Sequence, residues 1–246
     1  MARKSSRFDP SSQEPYRVSR SKIDLFMKCP RCFYLDRRHG IGQPPSAPFS
    51  LNNAVDELLK REFDHYRSLG QPHPLLVENG IDAVPFQHKD LEVWRDALHK
   101  GIAAPLSGTP LLITGGIDDV WVTPAGELII ADYKATSKNE EVNLDADWQI
   151  AYKRQVEIYQ WLFRANGFAV SSTAYFVYCN GRKNGDSFNA RLDFSISLLP
   201  YVGTTAWIEP ALRELHACLV SPSLPPVSPS CFHCKYRERA SAVERW

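Results

Sequence analysis

Two apolar segments joined by a Pro-Ala-Gly turn constrain the fold of this chain more than any other feature. They cover about 111–123 and 127–136. Apolar arms that meet at such a turn predict a β-hairpin. Charged residues also lie in or beside the arms: Asp118, Asp119, Asp132 and Lys134. The fold therefore has to accommodate three carboxylates and an ammonium on strands that otherwise belong to a core.

The alternation of side chains along a strand predicts where these charges point. Asp132 and Lys134 share one face of the second arm, and Tyr133 projects from the other. Asp118 lies on the preceding arm and can lie opposite them. Its neighbour Asp119 is predicted to face outward. The hairpin is thus expected to gather two carboxylates and one ammonium at a single point.

Such a gathering of acids indicates a metal site. Carboxylates on neighbouring strands repel each other and raise each other's pKa. A hard cation such as Mg²⁺ or Mn²⁺ removes the repulsion, since both ions prefer oxygen ligands. A lysine beside the ion can position a water molecule and stabilise charge on a phosphoryl group. The alternative is an ordinary ion pair between Asp132 and Lys134 at a sheet edge.

The rest of the chain alternates helices with strands. Apolar spacing and terminal glycines predict helices over about 19–39, 50–70, 89–102, 145–167 and 200–219, and a second hairpin from 172–180 and 187–197. This order favours a single α/β domain with a mixed sheet over residues 19–246. Residues 1–18 are polar and are expected to form a disordered tail.

Composition limits the class of protein. The chain is 43% hydrophobic and 23% charged, with a formal net charge of +1, which is typical of a soluble globular protein. No apolar run approaches the roughly 20 residues of a membrane span, and the N-terminus lacks the apolar core of a signal peptide. We expect a cytoplasmic protein with no membrane partner, whose six cysteines are thiols or metal ligands.

Four segments resemble the motifs of a known nuclease family. In chain order they are SRSKIDLFMKCPRCFYLDRR, GGIDD, IIADYKAT and RQVEIY. Together they resemble the RecB-type branch of the PD-(D/E)XK nucleases, which includes the Cas-type exonucleases of CRISPR adaptation. The resemblance implies an α/β restriction-endonuclease-like core. In that core helices flank a central mixed β-sheet, and a four-cysteine metal site joins the N- and C-terminal ends.

The resemblance also implies roles for the hairpin residues. Asp118 and Asp132 would be ligands of Mg²⁺ or Mn²⁺, with the carbonyl of Tyr133 as a further ligand. Lys134 would be the catalytic lysine. One position departs from the branch, because Asp56 stands where a metal-binding histidine is usual. Aspartate also ligates Mg²⁺, so this residue is kept as a candidate ligand.

Residues outside the hairpin are expected to contact DNA. Gln155 and Tyr159 are four positions apart on one helix face, and the resemblance implies that they line the DNA path and orient the lysine. An ordinary polar helix face is the alternative. Basic residues that could hold the phosphate backbone are Lys22, Lys28, Arg31, Arg37, Arg38, His39, Lys153 and Arg154. Trp148 and Trp161 are expected in the core, with base-stacking platforms as the alternative. Cys179 and Cys218 are expected to be buried.

Two C-x-x-C pairs lie near opposite ends of the chain. Cys29 and Cys32 form the first, and Cys231 and Cys234 the second. Pairs of this spacing indicate a metal site. The resemblance implies a [4Fe–4S] cluster, although its usual last cysteine is missing here and Cys32 would replace it. Structural Zn²⁺ suits the same four thiolates, and thiols without metal are a third reading.

These observations predict a divalent-metal-dependent DNA nuclease. We expect an exonuclease, or an enzyme directed to single strands or ends, in DNA repair, recombination or defence. The sequence has no G-x-x-x-x-G-K-[ST] loop, so a separate helicase or recombination protein is a possible partner. One alternative is a catalytically inactive nuclease-like subunit that binds nucleic acid. Another is a zinc-stabilised interaction protein whose acidic hairpin is only a surface.

Overall fold

The computed structural model describes residues 7–12, 14–45 and 50–244. The helices are α1 Arg20–Lys28, α2 Pro30–His39, α3 Ser50–Leu69, α4 Pro74–Glu78, α5 Leu91–Arg95, α6 Ile150–Ala165, α7 Ile208–Val220 and α8 Phe232–Glu244, with a 3₁₀ helix at Asp147–Gln149. The strands are β1 Tyr16–Ser19, β2 Val84–Pro85, β3 Ile102–Pro105, β4 Leu111–Gly115, β5 Asp119–Val122, β6 Leu128–Thr136, β7 Thr173–Gly181 and β8 Phe194–Val202.

The chain divides into two compact units. Unit 1 is built from described residues of 1–47, 104–114 and 206–246, and unit 2 from those of 48–103 and 115–205. Each unit is therefore built from segments that are distant from one another in the sequence. The single domain expected over 19–246 stays a prediction.

A break at Cys29 divides the first predicted helix into α1 and α2. Cys29 has extended backbone angles, φ −160° and ψ 99°, because the ring of a following proline disfavours helical angles. Pro30 then opens α2, where a backbone N–H would have no helical partner. The Cys29 Sγ accepts a hydrogen bond from the Cys32 N–H at 3.4 Å. The break therefore places one candidate ligand at the start of a helix.

Three strands form a sheet in the order β1-β4-β3. Their residues belong to unit 1, except Ile102, Ala103 and Gly115, which belong to unit 2. β1 pairs in parallel with β4. The prediction of a disordered tail over 1–18 is therefore wrong for residues 16–18, which belong to β1, and for Phe8, which is buried. A strand of four residues is too short to show a period in the sequence. Residues 1–6 and 13 lie outside the described residues.

Unit 2 contains a five-stranded sheet in the order β2-β5-β6-β7-β8. β6 pairs in parallel with β7, and the other neighbours are antiparallel. α3 and α6 contact the central strand β6. Leu59 and Phe63 from α3 pack in one core cluster with Trp121 and Tyr133 from the sheet. The predicted α/β fold, with a central mixed sheet flanked by helices, is confirmed.

The first predicted arm of the hairpin, 111–123, is two strands rather than one. β4 ends at Gly115 and pairs with β1, whereas β5 begins at Asp119 and pairs with β6. A Cβ on Gly115 would lie 2.7 Å from the ring of Tyr159, so α6 can approach this point only because a glycine is there. The hairpin of β5 and β6 is confirmed, and the first arm is shorter than predicted.

The second hairpin is confirmed with different boundaries. Its second strand, predicted over 187–197, is β8, which pairs antiparallel with β7 as far as Val202. The helix predicted from residue 200 therefore begins only at Ile208, because strand pairing overrides the apolar spacing of the preceding residues. Within the described residues, none of the helices is long and apolar enough to cross a membrane.

Candidate active site

Asp118 and Asp132 face each other across β5 and β6. Asp119 is paired with Ala131, so Asp118 falls one position further along, opposite Asp132. The Asp118 Oδ2 accepts a hydrogen bond from the Tyr133 N–H at 2.8 Å. Asp132 is fully buried. Both predicted carboxylates thus lie at one point of unit 2.

Lys134 lies beside these carboxylates. Its ammonium forms an ion pair with Asp132, and its side chain is 13% exposed. Burial opposes the charge on Lys134, but Asp132 and then Asp118 outweigh burial and raise the pKa of the lysine. Lys134 is therefore protonated at neutral pH. The alternative of a surface pair at a sheet edge is wrong, because β6 has a neighbour on each side and the acid is buried.

Asp56 lies in α3 close to Asp118. Burial, and then the negative charge of Asp118, raises the pKa of Asp56. Lys60 links the two acids, since its Nζ is 2.7 Å from Asp56 Oδ2 and 3.7 Å from Asp118 Oδ1. Lys60 was not among the residues predicted for the site, although its spacing of four residues from Asp56 is visible in the sequence. Two ammonium groups thus lie among three carboxylates.

Gln155 and Tyr159 lie in α6, and both are buried. The Gln155 Nε2 donates a hydrogen bond to the Tyr159 hydroxyl at 3.0 Å. The Tyr159 phenol lies near enough to Lys134 to contribute to the raised pKa of the lysine. These two side chains therefore lie in the interior, with the Tyr159 phenol near the acidic site. Their roles in catalysis and DNA binding stay predictions.

Asp119 is fully buried, so the outward orientation predicted for it is wrong. Its side chain does lie opposite that of Asp118, but α3 covers the other face of the sheet. The Tyr133 hydroxyl donates a hydrogen bond to Asp119 Oδ2 at 2.8 Å. Tyr133 therefore bonds to both aspartates, through its backbone N–H to Asp118 and through its side chain to Asp119.

Two arginines neutralise Asp119. Arg67 forms an ion pair with its carboxylate, and the Arg95 Nη2 lies 3.4 Å from Asp119 Oδ1. The Arg95 Nε also donates a hydrogen bond to the backbone carbonyl of Asp118 at 3.1 Å. Asp64 pairs with both guanidinium groups. This network fixes the backbone from which the Asp118 carboxylate projects.

This network was not predicted, although the sequence of α3 carries a signal for Arg67. The residue continues the apolar series Val55, Leu59 and Phe63 at intervals of four. An arginine at a core position of an amphipathic helix requires a buried anion as partner. Arg95 has no comparable signal, because its helix α5 is only five residues long.

The four cysteines of the C-x-x-C pairs cluster in unit 1. The Sγ–Sγ distance is 3.6 Å from Cys29 to Cys234, 3.6 Å from Cys32 to Cys231 and 3.8 Å from Cys32 to Cys234. Within the described residues, this is the one group of three or more ligating side chains gathered closely enough to share an ion. The cluster joins the N- and C-terminal regions, as predicted.

One thiol of the cluster is unusually acidic. Burial opposes ionisation of Cys29, but hydrogen bonds from the Ser228 side chain and the Cys32 backbone outweigh it and lower the pKa of Cys29 to about 6. The thiolate is the form that binds metals. Of the two cysteines predicted in the core, Cys179 is buried and Cys218 is partly buried.

Several basic residues of α1 and α2 are engaged within unit 1. The Lys22 Nζ lies 2.5 Å from Asp36 Oδ2, and Arg37 Nη2 lies 2.9 Å from Asp36 Oδ1. The Lys28 Nζ lies 2.7 Å from Asp24 Oδ2. Their positive charge is therefore partly neutralised inside the protein, and phosphate binding by these helices stays a prediction.

Trp148 is 54% exposed, so its predicted place in the core is wrong. It lies in the 3₁₀ helix before α6. The neighbouring Gln149 is fully buried and bonds to the backbone of this turn, accepting from the Ala146 N–H at 2.9 Å and donating to the Asn143 carbonyl at 2.7 Å. These hydrogen bonds hold the Gln149 side chain in the interior and leave the adjacent Trp148 indole exposed to solvent. Trp161 is partly buried.

Comparisons with known proteins place the chain in a family. A family model, described as the PD-(D/E)XK nuclease superfamily, matches residues 74–239. No curated protein matches the chain. Among solved structures, the crystal structure of SSO0001 is similar at 14% identity and a TM-score of 0.42, covering 85% of this chain and 87% of that one. Because the family match covers more than half of the sequence and includes the acidic hairpin, this chain belongs to the PD-(D/E)XK nuclease superfamily.

Proposed function

We propose that the chain is a divalent-metal-dependent nuclease that hydrolyses phosphodiester bonds in DNA. The observation that carries the proposal is the position of Lys134, a protonated lysine paired with buried Asp132 and close to Asp118. An ammonium held there can position an attacking water molecule and stabilise negative charge on a phosphate. Gln155 and Tyr159 act as positioning residues, since the Tyr159 phenol contributes to the electrostatic environment of the lysine.

The finer assignment is to the RecB-type, Cas-like branch. It is supported by the order of the sequence motifs and by the cysteine cluster. Within this branch we assign exonuclease action, or action on single strands and ends, in DNA repair, recombination or defence. A separate helicase would supply unwound substrate, because the sequence has no nucleotide-binding loop of the G-x-x-x-x-G-K-[ST] type.

The donor groups at the acidic site fit Mg²⁺ or Mn²⁺. Asp118 and Asp132 offer carboxylate oxygens and Tyr133 its backbone carbonyl. The three carboxylates of Asp56, Asp118 and Asp132 are not gathered as closely as the cysteine thiols, so Asp56 would become a third ligand only by moving toward the other two. Hard cations prefer this set of oxygen ligands. Burial, and then the negative charge of Asp118, raises the pKa of Asp56, and a cation beside the two acids would offset that charge. The ion would lower the pKa of a bound water molecule and neutralise the scissile phosphate.

A cleavage assay tests the proposed activity. Purified protein is incubated with end-labelled single-stranded and duplex DNA in Mg²⁺, in Mn²⁺ and in EDTA. We expect cleavage only with metal, and a loss of at least about 100-fold in rate for Asp132→Ala and Lys134→Ala, because each removes charge stabilisation at the phosphate. Matched controls are Asp82→Ala and Lys89→Ala, since both residues are exposed; these variants should cleave normally.

The same assay tests the inactive alternative. Cleavage in EDTA, or equal rates for the wild type and both site variants, would contradict the proposal. DNA binding without cleavage under any metal would instead support a nuclease-like binding subunit. Product lengths from 5′- and 3′-labelled strands then separate exonuclease from endonuclease action.

We propose that the cysteine cluster binds a single Zn²⁺ ion. Four sulfur atoms at about 2.3 Å from a tetrahedral ion lie about 3.8 Å from each other. The Sγ–Sγ distances of 3.6 Å, 3.6 Å and 3.8 Å agree with that value. A [4Fe–4S] cluster binds its four thiolates through different iron atoms and needs wider spacing. The spacing therefore supports zinc over the cluster that the sequence resemblance implies.

Metal analysis tests this assignment. Protein purified without oxygen should be colourless and contain about one zinc per chain, as a four-thiolate site requires. A Cys231→Ser variant should lose the zinc, whereas Cys179→Ser, which changes a buried thiol outside the cluster, should keep it. Brown protein with iron and sulfide would establish the cluster instead. Protein with neither metal would contradict both assignments.

A further inference from the structure

A series of side-chain contacts leads from the acidic site to the protein surface. The Lys134 Nζ lies 4.5 Å from the centre of the Tyr152 ring. That ring packs edge to face against Trp148, with ring centres 5.2 Å apart and an interplanar angle of 84°. Trp148 is 54% exposed. An accessible indole is therefore two contacts away from the candidate catalytic lysine.

Positive charge also lies close to this indole. The Lys138 Nζ is 5.8 Å from the centre of the Trp148 ring. The backbone of Lys138 is fixed, because its N–H donates to Asn180 Oδ1 at 2.8 Å and its carbonyl accepts from Asn180 Nδ2 at 3.1 Å. Lys183 reaches the same segment, donating to the carbonyl of Ser137 at 3.4 Å. Lys138 thus lies beside Trp148, and Lys183 contacts the neighbouring residue Ser137.

Charge alone cannot make this surface attractive to DNA. The segment that carries Trp148 also holds Glu140, Glu141, Asp145 and Asp147. These carboxylates offset much of the attraction from Lys138 for phosphate. The indole is a different kind of binding group, because any base can stack on it whatever its sequence. A cation–π contact at an exposed ring is weaker than base stacking, so Lys138 does not block the indole.

We propose that Trp148, supported by Tyr152 and Lys138, is the stacking platform for an unpaired base of single-stranded DNA beside the scissile phosphate. The proposal rests on the nuclease function proposed above and deepens it by naming the side chain that selects unpaired strands. Bases of a duplex are stacked on their neighbours and cannot use such a platform. The surface thus selects unpaired strands by aromatic contact, with the lysines holding the adjoining phosphates.

Binding in the absence of catalysis gives the first test. The anisotropy of a fluorescent oligothymidine is measured without added Mg²⁺ or Mn²⁺ and without chelator, so that metal in the cysteine cluster is retained, with a blunt duplex measured in parallel. Trp148→Ala and Trp148→Leu should weaken single-strand binding by at least about 5-fold, because stacking is lost in both. Trp148→Phe should remain within about 3-fold, since phenylalanine still stacks. Phe232→Ala, which truncates an exposed aromatic residue of unit 1, is the matched control.

The outcomes separate this inference from the nuclease function. Unchanged single-strand binding in both the alanine and leucine variants overturns the platform, as does an equal loss for duplex and single strand. Salt provides a second measure: the weakening by Trp148→Leu should persist as salt increases, whereas that by Lys138→Gln should shrink. If the protein cleaves no DNA but shows these binding differences, the nuclease function fails and the platform stands. If the protein cleaves DNA and Trp148→Leu binds and cleaves as wild type does, the nuclease function stands and the platform fails.

Discussion

The adjacent residues Asp118 and Asp119 serve different purposes in this protein. Asp118 points toward Lys134 and the acidic site, whereas Asp119 points into the layer between β5 and α3. There its charge is balanced by Arg67 and Arg95. Removing one member of a buried charge network leaves the others uncompensated. Asp119 is therefore a structural anchor for the backbone that presents its neighbour.

Substituting Asp119 should destabilise the fold strongly. Asp119→Asn leaves the two guanidinium groups with less compensating charge, and we expect the free energy of unfolding to fall by about 3 kcal/mol. Tyr133→Phe removes only one hydrogen bond from the same carboxylate and should cost about 1 kcal/mol. Urea denaturation of both variants checks the order. Equal stability of Asp119→Asn and wild type would show that the charge network contributes nothing.

At the scale of residues, the sequence predicts which side chains share a face of a strand, but not which other elements surround them. Strand alternation places Asp118 and Asp132 on one face because the period of a strand is fixed by its backbone. It cannot reveal that the opposite face, occupied by Asp119, is covered by a helix. Lys60 was missed for a similar reason, since only folding brings it to Asp118.

At the scale of elements, the packing of α6 depends on the absence of a side chain at Gly115. A Cβ at Gly115 would lie 2.7 Å from the Tyr159 ring. Gly115→Ala should therefore displace α6, lower the free energy of unfolding by about 1–3 kcal/mol, and reduce nuclease activity. Gly185→Ala is the matched control, because a Cβ there would meet no atom closer than 3.8 Å. Thermal melts check this; identical melting of the two variants would contradict it.

The N-terminus of α4 should make stability depend on pH. His73 Nδ1 accepts a hydrogen bond from the Leu75 N–H at 3.1 Å, and its Nε2 lies 3.2 Å from Glu62 Oε1. Burial lowers the pKa of His73, and Glu62 offsets this only in part. The folded state thus binds the proton less tightly than the unfolded state, whose pKa is about 6.5. This contribution to stability is fully present above that pH and is lost as pH falls through the lower folded pKa.

The measurement is the urea midpoint between pH 7.5 and pH 5. Wild type should lose stability over this range, and His73→Asn, which can still cap the helix but does not titrate, should lose less. His99→Asn, at an exposed histidine, serves as control and should follow the wild type. Parallel curves for wild type and His73→Asn would rule out His73 as the source.

Elements differ in how well the sequence predicts them. α3 and α6 are long, and their apolar spacing is regular, so local pattern suffices. The division of 111–123 into β4 and β5 does not appear in the pattern, because it depends on which neighbour each part pairs with. β1 has only four residues and is defined by pairing alone.

For the molecule as a whole, the cysteine cluster connects residues that are far apart in sequence. Cys32 and Cys231 are separated by 199 positions, and their Sγ atoms lie 3.6 Å apart. A metal that joins such distant residues restricts the unfolded chain and stabilises the fold. Loss of the metal is therefore expected to weaken unit 1 first.

This expectation is testable by calorimetry. Chelation of the metal, or Cys234→Ser, should lower the melting temperature by several degrees, since about 1 kcal/mol shifts it by about 2–4 °C in a chain of this size. Cys218→Ser changes a thiol of unit 1 outside the cluster and should have little effect. A melting temperature that is insensitive to both chelator and Cys234→Ser would show that the cluster is not structural.

The three separated segments of unit 1 have a consequence for how the protein emerges from the ribosome. Chains are made from the N-terminus, at about 5–20 residues per second. All residues of unit 2 have been joined once synthesis reaches position 205, whereas unit 1 lacks half of its sulfur ligands until position 231 and the last until position 234. Helices α1 and α2, with Cys29 and Cys32, are therefore made well before the two cysteines that complete the cluster.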